Sequence, residues 1–243
     1  MSTQTKYITS TKSSRKNKQT ELISVVLVYH SFILRMKSFG NAAMIPLSKQ
    51  EKVIDRHIAM INRKIPNNEI IISVGYEANR IQLYVNKKYP KSNIRIVENT
   101  RYEDSNICES IRIAINNTKN DHILIVNGGI LFEDRLIEQI ILNNVHTAIS
   151  MPDSNSTLDV GVNIDKINNN IEHISYGAVS SKWCEILYLN KSSVVNEVRK
   201  CLSSAGFKNK VFYELINIII KKNIKLNYVY SDSRVIKIKN TNI

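Results

Sequence analysis

Chemistry needs charged, nucleophilic or metal-ligating side chains gathered at one place, and this sequence offers few sets spaced to do that. Arg35 and Lys37 follow a β-branched run; they could bind an anion at the mouth of a sheet or stand as solvated loop charges. Asn106 and Ser110 lie where a helical stretch begins, a position at which such residues commonly serve as caps. Trp183 beside Lys182, with Tyr176 upstream, fits a ligand face, an interface or a core. Glu133 and Asp134 open another helical stretch, where acids are favoured by the helix dipole. Cys108, Cys184 and Cys201 lack CxxC spacing and read as reduced packing residues. The five histidines are equally scattered, so no zinc site is expected.

The elements that must position these groups are legible from hydropathy. Leu22 to Val28 is a continuous apolar run, as expected of a strand buried on both faces. Further strands are predicted over Glu69 to Val74, Ile94 to Val97, His122 to Val126 and Thr147 to Met151. Helices are predicted over Gln50 to Lys64, Glu77 to Lys88, Ser105 to Asn116 and Asp134 to Leu142. This alternation points to right-handed βαβ units and a mostly parallel sheet. Ligands on such sheets sit at the carboxyl ends of the strands, so the loops after Val28, Val74, Val97 and Val126 are the ones to watch. The second part is less regular. A hairpin is predicted from Val160 to Ile164 and Ile171 to Tyr176, then helices near Ser193 to Ser203 and Lys210 to Lys222, then a strand pair from Lys225 to Tyr230 and Arg234 to Lys239.

At 243 residues, with 43% hydrophobic and 23% charged residues, the chain fits one large α/β domain with an ordinary core. No apolar run is long enough to span a bilayer, so no membrane role and a cytoplasmic location are expected. The net charge of +13 suits an anionic partner, but the abundance of Lys, Asn and Ile also fits compositional drift on solvated faces. Nucleic acid is therefore a partner that is not favoured. Residues 1–20 are polar and basic, with Lys6, Lys12, Arg15, Lys16 and Lys18, and are expected to form a flexible arm ahead of a domain at 21–243. Such an arm could dock on a protein partner or a second copy of the chain.

Several stretches carry a resemblance in their order. Tyr29-His30-Ser31-Phe32-Ile33-Leu34-Arg35-Met36 is followed by Gly40-Asn41-Ala42-Ala43-Met44-Ile45-Pro46-Leu47. Next come Asp55-Arg56-His57-Ile58, Val74-Gly75-Tyr76, Glu98-Asn99-Thr100-Arg101-Tyr102 with Asn106 and Ser110, and Val126-Asn127-Gly128-Gly129-Ile130-Leu131-Phe132. Together these resemble the nucleotidyltransferases of the sugar-phosphate, phosphocholine and molybdopterin guanylyltransferase-like type, over about residues 21 to 240. The resemblance implies a three-layer α/β/α domain of the nucleotide-diphospho-sugar transferase (GT-A-like) kind. It places Asn106 and Ser110 beside a nucleotide base, and Tyr176, Lys182 and Trp183 on the acceptor side.

The same resemblance implies that catalytic groups are missing. The family's phosphate loop is A-A-G-x-G-x-R-M, and its glycines fall on Ser31 and Ile33; bulk at these positions hinders a backbone cradle for phosphates. The family lysine falls on Ala42 and the metal-binding aspartate on Gly129. The last strand, where a second metal carboxylate is expected, reads Val235-Ile236-Lys237-Ile238-Lys239. Charge stabilisation supplies most of the catalysis in such transfers, so these losses point to an abandoned reaction. The expectation is a degenerate, non-catalytic member with no cofactor and no metal, acting as a binding or assembly component, for example in a virus particle, with host cytoplasm or virion as its location. The alternatives are an active nucleotidyltransferase using Mg²⁺ through displaced ligands, making an NDP-sugar or CDP-choline-like product, and a nucleic-acid-binding protein on the same scaffold.

Overall fold

The computed structural model describes residues 21–30, 40–151, 160–177 and 181–238. The basic arm, Ser31, Ile33, Arg35, Lys37 and Lys239 lie outside the described residues. Strand β1 (Ile23–Tyr29) is buried along its whole length. It has no solvent face: Val25, Leu27 and Tyr29 enter one apolar cluster while Val26 and Val28 enter another. Such two-sided burial marks a central strand of a parallel sheet. β1 pairs in parallel with β2 (Asn68–Val74) and β4 (Ile123–Asn127), and β2 pairs in parallel with β3 (Ile94–Glu98). Antiparallel β10 (Ile186–Leu189) closes the sheet in the order β10-β4-β1-β2-β3.

Helices cover both faces. α1 (Val53–Lys64), α2 (Ala78–Lys88) and α4 (Asp134–Leu142) pack into the first cluster, and α3 (Ile107–Ile115), α5 (Ser192–Ser203) and α6 (Phe212–Lys221) into the second. This is the three-layer α/β/α arrangement that the resemblance implied. Beside it lies a second, mixed sheet in the order β11-β6-β9-β7-β8, formed by β6 (Thr147–Ser150), β7 (Val160–Asp165), β8 (Asn170–Tyr176), β9 (Lys182–Trp183) and β11 (Tyr228–Tyr230). The expected hairpin is present as antiparallel β7 and β8. No helix among the described residues is long and apolar enough to cross a membrane.

The final strand pair needs correction. β11 and β12 (Val235–Lys237) are both strands but do not pair with each other. β11 runs parallel to β6, and β12 runs antiparallel to β5 (Ile130–Phe132). Alternation within each run identifies a strand but not its partner. Here the partner is set by tertiary packing.

Three polar contacts, the last of them fully buried, fasten the elements. Asp55 on α1 accepts hydrogen bonds from Tyr84 (2.6 Å), Tyr89 (2.7 Å) and the Lys52 amide (2.8 Å), and pairs with Lys88 at 2.8 Å. Burial pushes the Asp55 carboxyl up, but the bonds from Lys88, Tyr84, Tyr89 and Lys52 outweigh it and leave it below its ordinary value. On α6, the Asn217 amide closes on edge strand β8, accepting from Ile174 N (2.9 Å) and donating to Ile174 O (2.7 Å). His57, also on α1, donates from Nε2 to the Ile130 carbonyl at 2.9 Å. A carbonyl only accepts, so in the neutral ring Nδ1 carries no proton and accepts a hydrogen bond from Tyr29 Oη at 2.6 Å. His57 thus ties the end of β1 to the start of β5 and stacks on Phe132 at 5.6 Å.

Burial pushes His57 down to about 4, against the opposing bond to Ile130. A depressed histidine is neutral in the folded state while the unfolded chain takes a proton below about pH 6.5. Its contribution is therefore complete above pH 6.5 and is lost as pH falls toward 4. Urea unfolding of the parent should show about 3 kcal/mol more loss between pH 7 and pH 4 than the His57→Gln variant shows.

Candidate functional site

The carboxyl ends of β1 and β4 open into a cleft of about 300 Å³, lined among others by Val28, Tyr29, His30, Asn127 and Gly129. This is where a parallel sheet is expected to hold a ligand, and Tyr29 and His30 after Val28, with Asn127 and Gly129 after Val126, form its floor. Other elements complete the walls. Asn106 and Ile107 come from the start of α3, Phe212 and Tyr213 from the start of α6, and Trp183 and Glu185 from β9 and the turn after it. Lys237 and Ile238 come from the end of β12.

The Tyr29 end of β1 is held from two directions. The Asn41 side chain, fully buried, donates to the carbonyls of Tyr29 (3.1 Å) and Tyr76 (3.0 Å) and accepts from Ala43 N (3.0 Å). Ala42 thereby sits in a short 3-10 turn against the cleft and lines it with its methyl group. On the other side, His30 Nε2 donates to the Ser105 carbonyl at 3.1 Å, so its Nδ1 accepts from Ser110 Oγ at 2.8 Å. Asn99 donates to both Ser105 Oγ (3.0 Å) and Ser110 Oγ (3.1 Å). Burial lowers the His30 pKa, partly offset by the Ser105 bond, so the ring is neutral at pH 7.

The sequence-predicted residues fall in different places. Asn106 lines the cleft and also caps α3, its Oδ1 accepting from Ile107 N at 2.8 Å. Ser110 is fully buried in the His30–Asn99 network and does not line the cleft. Trp183 lines the cleft from a buried position, donating to Thr147 Oγ1 (2.9 Å) and meeting Phe212 edge-on at 4.8 Å. Tyr176 is exposed at the rim, edge-on to Tyr213 at 5.2 Å. Lys182 is buried and directs Nζ to the Val235 carbonyl at 3.4 Å, outside the lining. Arg35, Lys37, Ser31 and Ile33 lie outside the described residues.

Sequence reading missed the group at the centre. Glu185 is 8% exposed, lines the cleft and has φ of 54°, in the left-handed region. That conformation costs a side-chain-bearing residue on the order of 1 kcal/mol. Its Oε1 pairs with Lys237 Nζ at 2.5 Å, and its Oε2 accepts from Asn127 Nδ2. Lys237 is brought there because β12 lies along β5, with Ile238 N donating to the Gly129 carbonyl at 2.9 Å. A lone glutamate before an apolar run gives no sequence signal of this kind. The lysine was visible only as an acid that was missing.

The resemblance implies Mg²⁺ here, and the residues do not fit it. Magnesium is held by carboxylates with phosphate oxygens. Gly129 supplies no ligand, and among the described lining residues Glu185 is the carboxylate, already engaged by an ammonium and an amide. Among the described residues no group of three or more His, Cys, Asp or Glu could hold a metal ion.

No protein-family model matches the chain, and no curated protein matches it. Solved structures do. It is similar to the inositol-1-phosphate CTP transferase from T. maritima, with 9% identity and a TM-score of 0.71 over 89% of both chains. It is also similar to the CTP:phosphocholine cytidylyltransferase from Streptococcus pneumoniae, with 14% identity and a TM-score of 0.66 over 90% of this chain and 93% of that one. A UDP-glucose pyrophosphorylase solved with UDP-glucose gives 10% identity and a TM-score of 0.69 over 90% and 94% of the two chains. The chain therefore has the fold of the nucleotidyltransferases.

The two adjacent glycines at the floor differ in kind. A Cβ on Gly128 would fall 2.3 Å from the Tyr29 ring, whereas one on Gly129 would meet Asn127 Oδ1 at 3.4 Å, an ordinary contact. Gly128→Ala should destabilise by ~2 kcal/mol through overpacking, while Gly129→Ala should stay within ~0.5 kcal/mol of the parent or stabilise it, as read by urea unfolding.

Proposed function

We propose that this chain is a non-catalytic protein on a nucleotidyltransferase scaffold, used as a binding or assembly component. The observation that carries this reading is the ion pair of Glu185 and Lys237 in the cleft lining, which Gly129 shares. Where the resemblance puts an aspartate and a second acid, this chain has a hydrogen atom and an ammonium. Backbone crowding does not explain the missing aspartate, because Gly129 has room for a Cβ. The methyl of Ala42 at the lysine position supports the same reading. Losing one such charge typically removes a hundredfold or more of rate, and losing several together leaves positioning alone. The basic segment at 1–20 is the proposed means of engaging a protein partner or another copy.

Two measurements test this. The full chain with CTP, UTP, GTP or ATP, Mg²⁺ and either a sugar 1-phosphate or phosphocholine should release no pyrophosphate above the uncatalysed rate; metal-dependent turnover would sink the proposal. In addition, the parent should show no saturable Mn²⁺ binding by paramagnetic relaxation of water. The variant Gly129→Asp with Lys237→Glu, which places acids beside Glu185, should gain it.

A further inference from the structure

One edge of the central sheet stands open where the other edges are closed. We infer that β3 pairs with the β3 of a second copy of this chain, antiparallel about a two-fold axis. Two five-stranded sheets thereby become one. The inference names a partner for the assembly role above but does not rest on it, because no residue of β3 lines the cleft.

The other edges are occupied. On β8, the Asn217 side chain takes the amide and carbonyl of Ile174, and the Leu226 carbonyl takes Ile171 N. At β10, Tyr188 N donates to the His146 carbonyl at 2.6 Å and Cys184 N to the Ala148 carbonyl at 3.1 Å, which ties that flank to β6. β11 is three residues long, and the chain just before it is bridged to β8 at Asn170 and Asn227. β3 has five residues, a regular register and no proline. Arg95, its one cation, is turned back onto the Asn117 carbonyl and does not screen the edge.

The backbone selects the partner. β3 bonds to β2 through alternate residues, the Asn93 carbonyl accepting from Ile70 N at 2.9 Å and Asn99 N donating to the Val74 carbonyl at 2.7 Å. Ile94, Ile96 and Glu98 therefore turn their backbone groups outward. Ile94 N is spent on the Ser92 carbonyl at 2.8 Å. The Ile94 carbonyl, both groups of Ile96 and the Glu98 N–H meet no partner among the described residues. An axis through Ile96 sets Ile96 opposite its twin and Ile94 opposite Glu98, so the strand pairs with itself from end to end. Each Ile96 N–H then donates to the other Ile96 carbonyl, and each Glu98 N–H to the other Ile94 carbonyl. Every outward donor is used, and none is asked of Ile94.

The packing agrees. Ile94 and Ile96 lie against the first apolar cluster yet stay half-buried. α2 is the crossover from β2 to β3 and lies over them. One flank of α2 faces α1, where Tyr84 and Lys88 reach Asp55. The opposite flank, over the β3 edge, presents Asn79, Gln82, Leu83 and Asn86, all exposed and none charged. Leu83 is 72% exposed. With strands about 4.8 Å apart, the two α2 helices would run about 10 Å from each other, a distance at which helices pack. An uncharged flank meets its own copy without repulsion. The paired strands are only about 17 Å long, so the contact is small and a dissociation constant of about 1 to 100 µM is expected.

The full chain is followed by sedimentation velocity from about 1 to about 300 µM. A monomer–dimer equilibrium is expected, with amide exchange at Ile96 and Glu98 slowing as the dimer fills. Glu98→Pro replaces an exposed side chain and puts a ring where the outward N–H was, a change that an edge strand tolerates. It should raise the dissociation constant at least about tenfold. Gln82→Glu sets like charges across the axis and should weaken the dimer about threefold or more in low salt, and less in high salt. Ile96→Cys should form a cross-linked dimer in oxidised glutathione, because facing residues of paired strands lie within disulfide reach and Cys108, Cys184 and Cys201 are buried. If Glu98→Pro does not fold, Gln82→Glu and Ile96→Cys decide. The proposal is overturned if the chain stays monomeric throughout or if Ile96→Cys yields no cross-linked dimer. It is equally overturned if the dimer is unchanged by the Glu98 and Gln82 variants, as one joined through residues 1–20 would be. Pyrophosphate release is read on the same samples: turnover by a dimer sinks the non-catalytic reading alone, and a silent monomer sinks this one alone.

Discussion

A neutral histidine at the hub of the sheet sets the site's geometry. His57 accepts a hydrogen bond from the Tyr29 hydroxyl and donates one to the Ile130 carbonyl, so the end of β1 and the start of β5 are fixed to one helix. β5 in turn aligns β12, and β12 delivers Lys237 to Glu185. Gly128 belongs to the same assembly, because the Tyr29 ring lies where its Cβ would be. The chemistry at the floor therefore depends on a wholly buried network with no ionised member. Protonating His57 would bury a charge and take from the Tyr29 hydroxyl proton its acceptor.

The opposite wall rests on a similar device. His30, Ser105, Ser110 and Asn99 satisfy one another, with each donor and acceptor direction fixed by a backbone carbonyl at one end. The residues that the resemblance puts beside a base here divide their roles. Asn106 reaches the cleft, while Ser110 serves the wall behind it. Both networks pair their buried polar groups with one another and with backbone carbonyls.

Much of the fold was legible in the sequence because its signals are local. The β-branched run at Leu22 to Val28 and the helical face of Val53, Ile54, His57, Ile58 and Ile61 both record burial directly. The hairpin of β7 and β8 was marked by its Asn-rich turn. Partnership was not legible: nothing local separates β12 pairing with β11 from β12 pairing with β5. The strand Ile186–Leu189 was overlooked because four apolar residues carry no period. The same limit explains the site. Gly129 and Ala42 read as losses only through the resemblance, whereas the ion pair in the cleft joins residues 185 and 237, and only the tertiary fold brings those together.

The Asn217 amide on the outer side of β8 has a consequence for how this molecule meets its neighbours. Ile174 has its amide and carbonyl taken by that side chain, and Ile171 N is taken by the Leu226 carbonyl. A free strand from another molecule finds those groups already spent, so backbone zippering is blocked at Ile171 and Ile174. Contacts made there must be made by side chains, which fit one shape and one partner, where an open strand would accept almost any extended chain.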